Sequence, residues 1–290
     1  METLVKAGRK AYGICIVALG VQGMYYVDFD PVFLPGPLSW LPFAAPLAYV
    51  WSTILILAGL SIILEKKAQE VSLALGGIFL TFFLFCHVPH LLFVSPNGNV
   101  LGSWTKAFKE LAFSGGAFVV AGSYCKESVQ TKSTLINLLK KFIPFGKVFF
   151  SITMIAFGID HFLYREFVAS LVPAWIPDHI FWTYFTGSAL IGSGIAIIAK
   201  IQLKIVASLL GAMIFLWLIF LHIPRAIADP FGDRGNEMTS VFQSFGFSGV
   251  AFIIAFNLHS NKIKELSALK ANSKGQVLLR EDLPVVNEKV

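Results

Sequence analysis

Eight apolar runs, each close to the thickness of a bilayer's hydrocarbon core, dominate this chain and leave it few ways to fold. They lie at about 11–27, 43–64, 71–94, 107–124, 147–164, 180–199, 203–222 and 241–258. About 20 apolar residues in a helix cross the core of a membrane. In hydrocarbon every backbone N–H and C=O must be bonded internally, which favours helices for segments of this kind. With 56% hydrophobic and 14% charged residues, the chain also departs from soluble domains, where about a quarter of residues are charged. The expectation is an all-α membrane protein. The first run lacks a small-residue cleavage site and matches a later segment, so it reads as a retained span rather than a signal peptide.

The net charge of +6 is explained by placement. With eight spans both termini share one side, and that side collects 18 of the 23 basic residues. The other side holds only Lys106, Lys109, Arg165, Arg225 and Arg234. The positive-inside rule then predicts cytoplasmic termini. The basic excess reports topology, the lipid bilayer is the expected partner, and no nucleic acid is implied. Cys15, Cys86 and Cys125 form no C-x-x-C, so neither a disulfide framework nor a dithiol centre is supported.

The chain also repeats itself. Gly8 and Gly20 match Gly146 and Gly158, Trp40-Leu41-Pro42 matches Trp175-Ile176-Pro177, and Gly59 matches Gly194. Thr105–Phe118 agrees with Thr239–Phe252 at 7 of 14 positions, and the offset drifts only from 138 to 134. Four spans per copy is an even number, so both copies cross in the same orientation. The predicted architecture is two tandem four-helix bundles, eight transmembrane helices in all, related by a pseudo-twofold axis along the membrane normal. The boundaries read as repeat 1–124, linker 125–146, repeat 147–258 and a disordered tail 259–290. In the linker, Leu135 to Ile143 mixes apolar and basic residues, as in a helix lying on the cytoplasmic surface.

The duplicated passage that carries chemistry is Phe85-Cys86-His87-Val88-Pro89-His90 against Phe220-Leu221-His222-Ile223-Pro224-Arg225, 135 positions apart. Each proline removes a hydrogen bond to the carbonyl four residues back, Phe85 or Phe220, and predicts a kink or fraying there. Ionisable groups inside a membrane point to function, and they cluster outward: His87, His90, Glu110, His161, His222, Arg225 and Asp229.

Three uses compete. His87 and His90 share a helical face and could chelate a metal, or His87 and His222 a haem, although Arg225 replaces the second imidazole in the other copy. Alternatively, His87, His222 and Arg225 could bind a quinone carbonyl or a small oxyanion. Finally, each histidine could satisfy a carbonyl freed on a neighbouring helix, with Arg225 paired to Asp229 or Glu110. No nucleophilic triad is present.

Gly158-Ile159-Asp160-His161-Phe162 at the outer end of a span, followed by an outer Trp-Ile-Pro loop, resembles DoxX-like membrane proteins. The likeness extends through the helix with Gly187, Gly192 and Gly194 and the late Phe-Ser-Gly helix. Its first half departs, with Gly23-Met24 where His161-Phe162 stands. The resemblance implies four-helix membrane modules, related to DoxD and more distantly to a cargo receptor of the early secretory pathway. It implies work in the bacterial cytoplasmic membrane tied to quinone-coupled thiosulfate oxidation or to thiol and oxidative stress. One full site is then expected, formed mainly by the second repeat, with His161, His222 and Arg225 leading. The resulting expectation is the membrane subunit of a quinone-linked oxidoreductase working with a redox partner protein. A non-enzymatic scaffold or transport protein is the alternative.

Overall fold

Every one of the eight apolar runs is helical in the computed structural model, which describes residues 1–29, 32–35, 43–124 and 133–257. The helices are α1 (Glu2–Tyr26), α2 (Ala44–Ile63), α3 (Ala68–Phe82), α4 (Thr105–Ser123), α5 (Thr134–Lys140), α6 (Gly146–Leu163), α7 (Arg165–Leu171), α8 (His179–Ala199), α9 (Leu203–Trp217), α10 (Ile223–Ala228) and α11 (Asn236–Phe256). No strand occurs among the described residues. Six stretches are long and apolar enough to cross a membrane: Ala44–Ile63, Ala68–Val94, Thr134–Leu163, His179–Ala199, Leu203–Ala228 and Gly232–Phe256. The helices α1 and α4 are the two that fall short; the first carries Glu2, Lys6, Arg9 and Lys10, the second Lys106, Lys109 and Glu110. Pro31, Pro37, Trp40, Pro42, Cys125 and the segment 258–290 lie outside the described residues.

Residues Met1–Phe256 form a single compact unit. Within it the helices pair in a regular way. The first helix of the first half, α1, packs on α2 and on α11, the last helix of the second half. Its counterpart α6 packs on α8 and on α4, the last helix of the first half. Likewise α3 lies against α4, and α9 against α11.

The glycines that the sequence repeats sit at these crossings. A Cβ at Gly8 would stand 2.5 Å from the carbonyl oxygen of Gly249, and one at Gly146 would stand 2.8 Å from that of Gly115. Only residues without a side chain allow such an approach of two helix backbones. The Ser114 hydroxyl donates to the Gly76 carbonyl at 2.8 Å, and the matching Ser248 hydroxyl donates to Gly211 at 2.9 Å.

The connections after α2 and α8 are tight, as their length predicts, and turn the same way. Glu65 and Lys67 take φ of 55° and 49°, and the matched Lys200 and Gln202 take 60° and 42°. Between the halves, α5 forms where a helix was expected, with the Ser133 hydroxyl capping Ile136 N–H at 3.4 Å. Ile136 and Leu139 pack against the core around Leu73 and Phe118, while Leu135 and Leu138 are exposed.

At the prolines the helical winding changes but continues. In place of fraying, each passage is wound as a π-helical turn, Phe83–His87 in one half and Leu218–His222 in the other, with a further π turn over His90–Val94. One residue more per turn re-satisfies the backbone that a proline would leave open, and such bulges recur at functional sites. The two histidines close their turns.

Candidate functional site

At the end of the bundle where α6 and α9 finish and α8 and α11 begin, the second half, with Gly102, Thr105 and Lys109 of the first, lines an open cavity of about 550 Å³. That falls within the roughly 300–1,000 Å³ of small-molecule sites. Backbone packing builds its frame. A Cβ at Gly158 would lie 2.6 Å from the Gly187 carbonyl oxygen, so α6 and α8 run nearly in contact. Just beyond that crossing, Asp160 and His161 reach the cavity. The π turn ending α9 brings His222 to the opposite wall, and α11 supplies Gln243.

The polar groups have defined roles. His161 Nδ1 lies 2.7 Å from the Phe157 carbonyl oxygen. A carbonyl can only accept, so Nδ1 carries the proton and Nε2 of the neutral ring is an acceptor. Trp217 Nε1–H donates to the Thr186 hydroxyl at 3.1 Å, and Thr183 donates to the His179 carbonyl at 2.9 Å. Thr105 stands 3.5 Å from Asp160 Oδ2. Three buried atoms of the lining make no hydrogen bond among the described residues: His222 Nδ1, Asp160 Oδ1 and Gln243 Nε2. Gln243 is only 3% exposed. A buried amide without a partner costs stability, and the cavity gathers three such polar atoms in one place. Tyr164, Ser240 and Ser244 also line it, Lys109 reaches it from α4, and the remainder is mainly apolar, including Met154, Phe157, Leu190, Ile214 and Phe247.

The seven residues singled out from the sequence separate into groups. His161 and His222 share the cavity. Arg225 does not line it: the guanidinium makes a two-point pair with Glu237, at 2.9 and 2.5 Å. The expected partners Asp229 and Glu110 are thereby corrected, because α10 and the start of α11 bring Glu237 into reach while Asp229 accepts from Gly232 N–H at 2.9 Å within its own turn. Glu110 is wholly buried on α4. His87 is buried in the first half, with Nε2 2.8 Å from the Val32 carbonyl oxygen, and His90 is half-buried at the start of a π turn. No group of three or more histidine, cysteine or acidic side chains able to hold one ion occurs among the described residues.

No family model, curated protein or solved structure matches the chain. The site therefore rests on its own geometry. Asp160, Thr183, Thr186, Lys109 and Gln243 were not singled out from the sequence. The last two carried a signal, since they occupy matched positions of the most strongly repeated window and differ there.

The first half places different matter where the second has its cavity. By the repeat, Thr186, Ile214, Trp217, His222 and Phe247 correspond to Trp51, Phe79, Phe82, His87 and Phe113. There the ring of Phe33, 1% exposed, packs 5.4 Å from Phe79, 5.6 Å from Trp51 and 5.9 Å from Phe113 between centroids.

Proposed function

We propose that this chain is a DoxX-like protein of the bacterial cytoplasmic membrane that binds a quinone in the second-half cavity, as the membrane subunit of a redox system with a separate partner protein. In this reading α1 and α4 also cross, giving eight spans as two four-helix repeats about an axis along the membrane normal. Support for that comes from matched contacts: Gly8 on Gly249 and Gly146 on Gly115, Ser114 on Gly76 and Ser248 on Gly211. The charge bias of the loops supports cytoplasmic termini and an outward-facing cavity.

The observation that carries the ligand assignment is the pair of imidazoles in one mainly apolar chamber. His161 offers an acceptor at Nε2 and His222 an imidazole with unmet hydrogen bonding. A quinone fits such a lining: a flat apolar ring takes the hydrocarbon walls, and its oxygens take the few polar groups. When bound, it supplies two-electron redox chemistry; the chain's side chains orient it and hold protons at its oxygens. Of the two ligand classes expected, the oxyanion is the less favoured, since the Arg225 fork is already engaged by Glu237.

Trp182 and Trp217 line the cavity and serve as reporters. Titrating the purified protein with decyl-benzoquinone is expected to quench tryptophan fluorescence saturably at one equivalent. His222→Ala is expected to weaken that binding at least tenfold. A non-saturable response, equal to that of free tryptophan in the same detergent, would overturn the reading in favour of the scaffold or transport alternative.

A further inference from the structure

The two halves differ most where they should agree best. The Nε2–H of His87 donates to the Val32 carbonyl at 2.8 Å, and the very next residue lays its ring among Trp51, Phe79 and Phe113. In the second half the matched His222 stands at a cavity of about 550 Å³. Two of the enclosing rings have shrunk there, Trp51 to Thr186 and Phe79 to Ile214. The stretch that would correspond to Val32-Phe33 is wound into α7, whose Phe167, Val168 and Leu171 form part of the wall.

We propose that Val32-Phe33 is a built-in stand-in for the guest of the second half, and that this guest is recognised as a flat ring bearing a carbonyl oxygen, the oxygen seated on Nε2–H of His222. The inference uses the same cavity as the quinone reading and refines how its occupant is held, but applies to any aryl ketone. A carbonyl acceptor forces the Nε2–H tautomer on His87, and the guest's oxygen would do the same for His222, which sits at the matched place of a matched π turn and whose buried Nδ1 has no partner among the described residues. Thr186 and Ile214 set the room for the ring and are the specificity-determining residues. Gln243 Nε2, buried and without a partner among the described residues, adds a second donor for an oxygen at the far side of the guest.

Native mass spectrometry of the full-length protein in detergent, with 2-acetylnaphthalene against 2-ethylnaphthalene, separates ring-plus-carbonyl from ring alone. Wild type is expected to hold one equivalent of the ketone, at least tenfold more tightly than the hydrocarbon. His222→Phe is expected to erase that preference. Phe33→Ala is expected to open a ring-sized space in the first half and raise the stoichiometry to two, with no preference for the ketone at that second position because the Val32 carbonyl keeps the His87 donor. Should Phe33→Ala fail to fold, Thr186→Trp with Ile214→Phe decides, since transplanting the first half's rings is expected to leave no ketone bound. Equal affinity for the two compounds, one equivalent on folded Phe33→Ala, or undiminished binding to the Trp/Phe variant would overturn the inference. Ketone binding together with failure of the quinone titration would retain this recognition mode and reject the quinone assignment alone.

Discussion

Phe113 and Phe247, matched residues of the two halves, meet at the centre of the bundle with ring centroids 5.1 Å apart. One ring closes over Phe33; the other lines the cavity. The ring-filled position of the first half and the cavity of the second thus lie back to back across the Phe113–Phe247 contact. That relationship separates residues whose loss is felt as stability from residues whose loss is felt as binding.

His87 and His222 should divide along that line. His87→Leu removes the hydrogen bond from His87 to the Val32 carbonyl and is expected to cost about 0.5–1.5 kcal/mol of stability, with quinone quenching unchanged. His222→Leu should leave the melting temperature within a few degrees of wild type and remove the quenching. Thermal melts and titrations of both proteins in one detergent check this. Equal behaviour of the two variants would contradict it.

Glycine crossings give a second test. Gly249→Leu and Gly115→Leu drive side chains into an opposing backbone already within 2.7 Å of an added Cβ. Each should cost at least about 1–3 kcal/mol, the range for overpacked cores, and reduce the yield of monodisperse protein. Gly192→Leu is the control, because nothing lies within 4 Å of a Cβ there. Size-exclusion profiles and melts of the three variants separate crossing glycines from helical glycines in general.

The Arg225–Glu237 pair joins α10 to α11 and is only partly buried, at 34% and 16% side-chain exposure. Arg225→Met and Glu237→Gln should each cost about 1–2 kcal/mol, scaled down from a fully buried charged bond by solvent screening. The double variant should cost little more than either single one. Simple additivity in that cycle would show that the two side chains stabilise the protein independently.

Topology is open to labelling. With α1 crossing, a cysteine at Glu2 and a cysteine at the exposed Tyr25 report from opposite faces of the membrane. In oriented vesicles of a variant lacking native cysteines, a membrane-impermeant maleimide is expected to label position 25 from outside, along with a cysteine at Glu166, and to leave position 2 unlabelled. Labelling of positions 2 and 25 from the same face would reduce the count of spans.

Much of the scaffold was readable because membrane helices announce themselves by length and apolarity, and because Gly8, Gly146, Gly115 and Gly249 recur at nearly constant offset. The π turns were not, since a proline tells only that an ordinary helical bond is missing and not how the backbone recovers it. His161 and His222 were both legible as intramembrane imidazoles. Glu237 was missed as the partner of Arg225 because the two are separated by the break between α10 and α11, whose geometry no spacing rule supplies. Most hidden was Phe33: an aromatic in a proline-rich loop reads as an interfacial ring, and only packing reveals it as the filling of a site.

The crosswise glycine contacts also bear on how the chain is made. The groove of α1 at Gly8 is filled by α11, which follows the other described helices in the chain, while α6 finds α4 already made. During synthesis the Gly8 groove of α1 therefore stays open until α11 has been made, although the contacts of α1 with α2 at Gly13 and Gly20 can form at once. A truncation just before α11 would thus keep the first two helices paired and yet leave that groove uncovered.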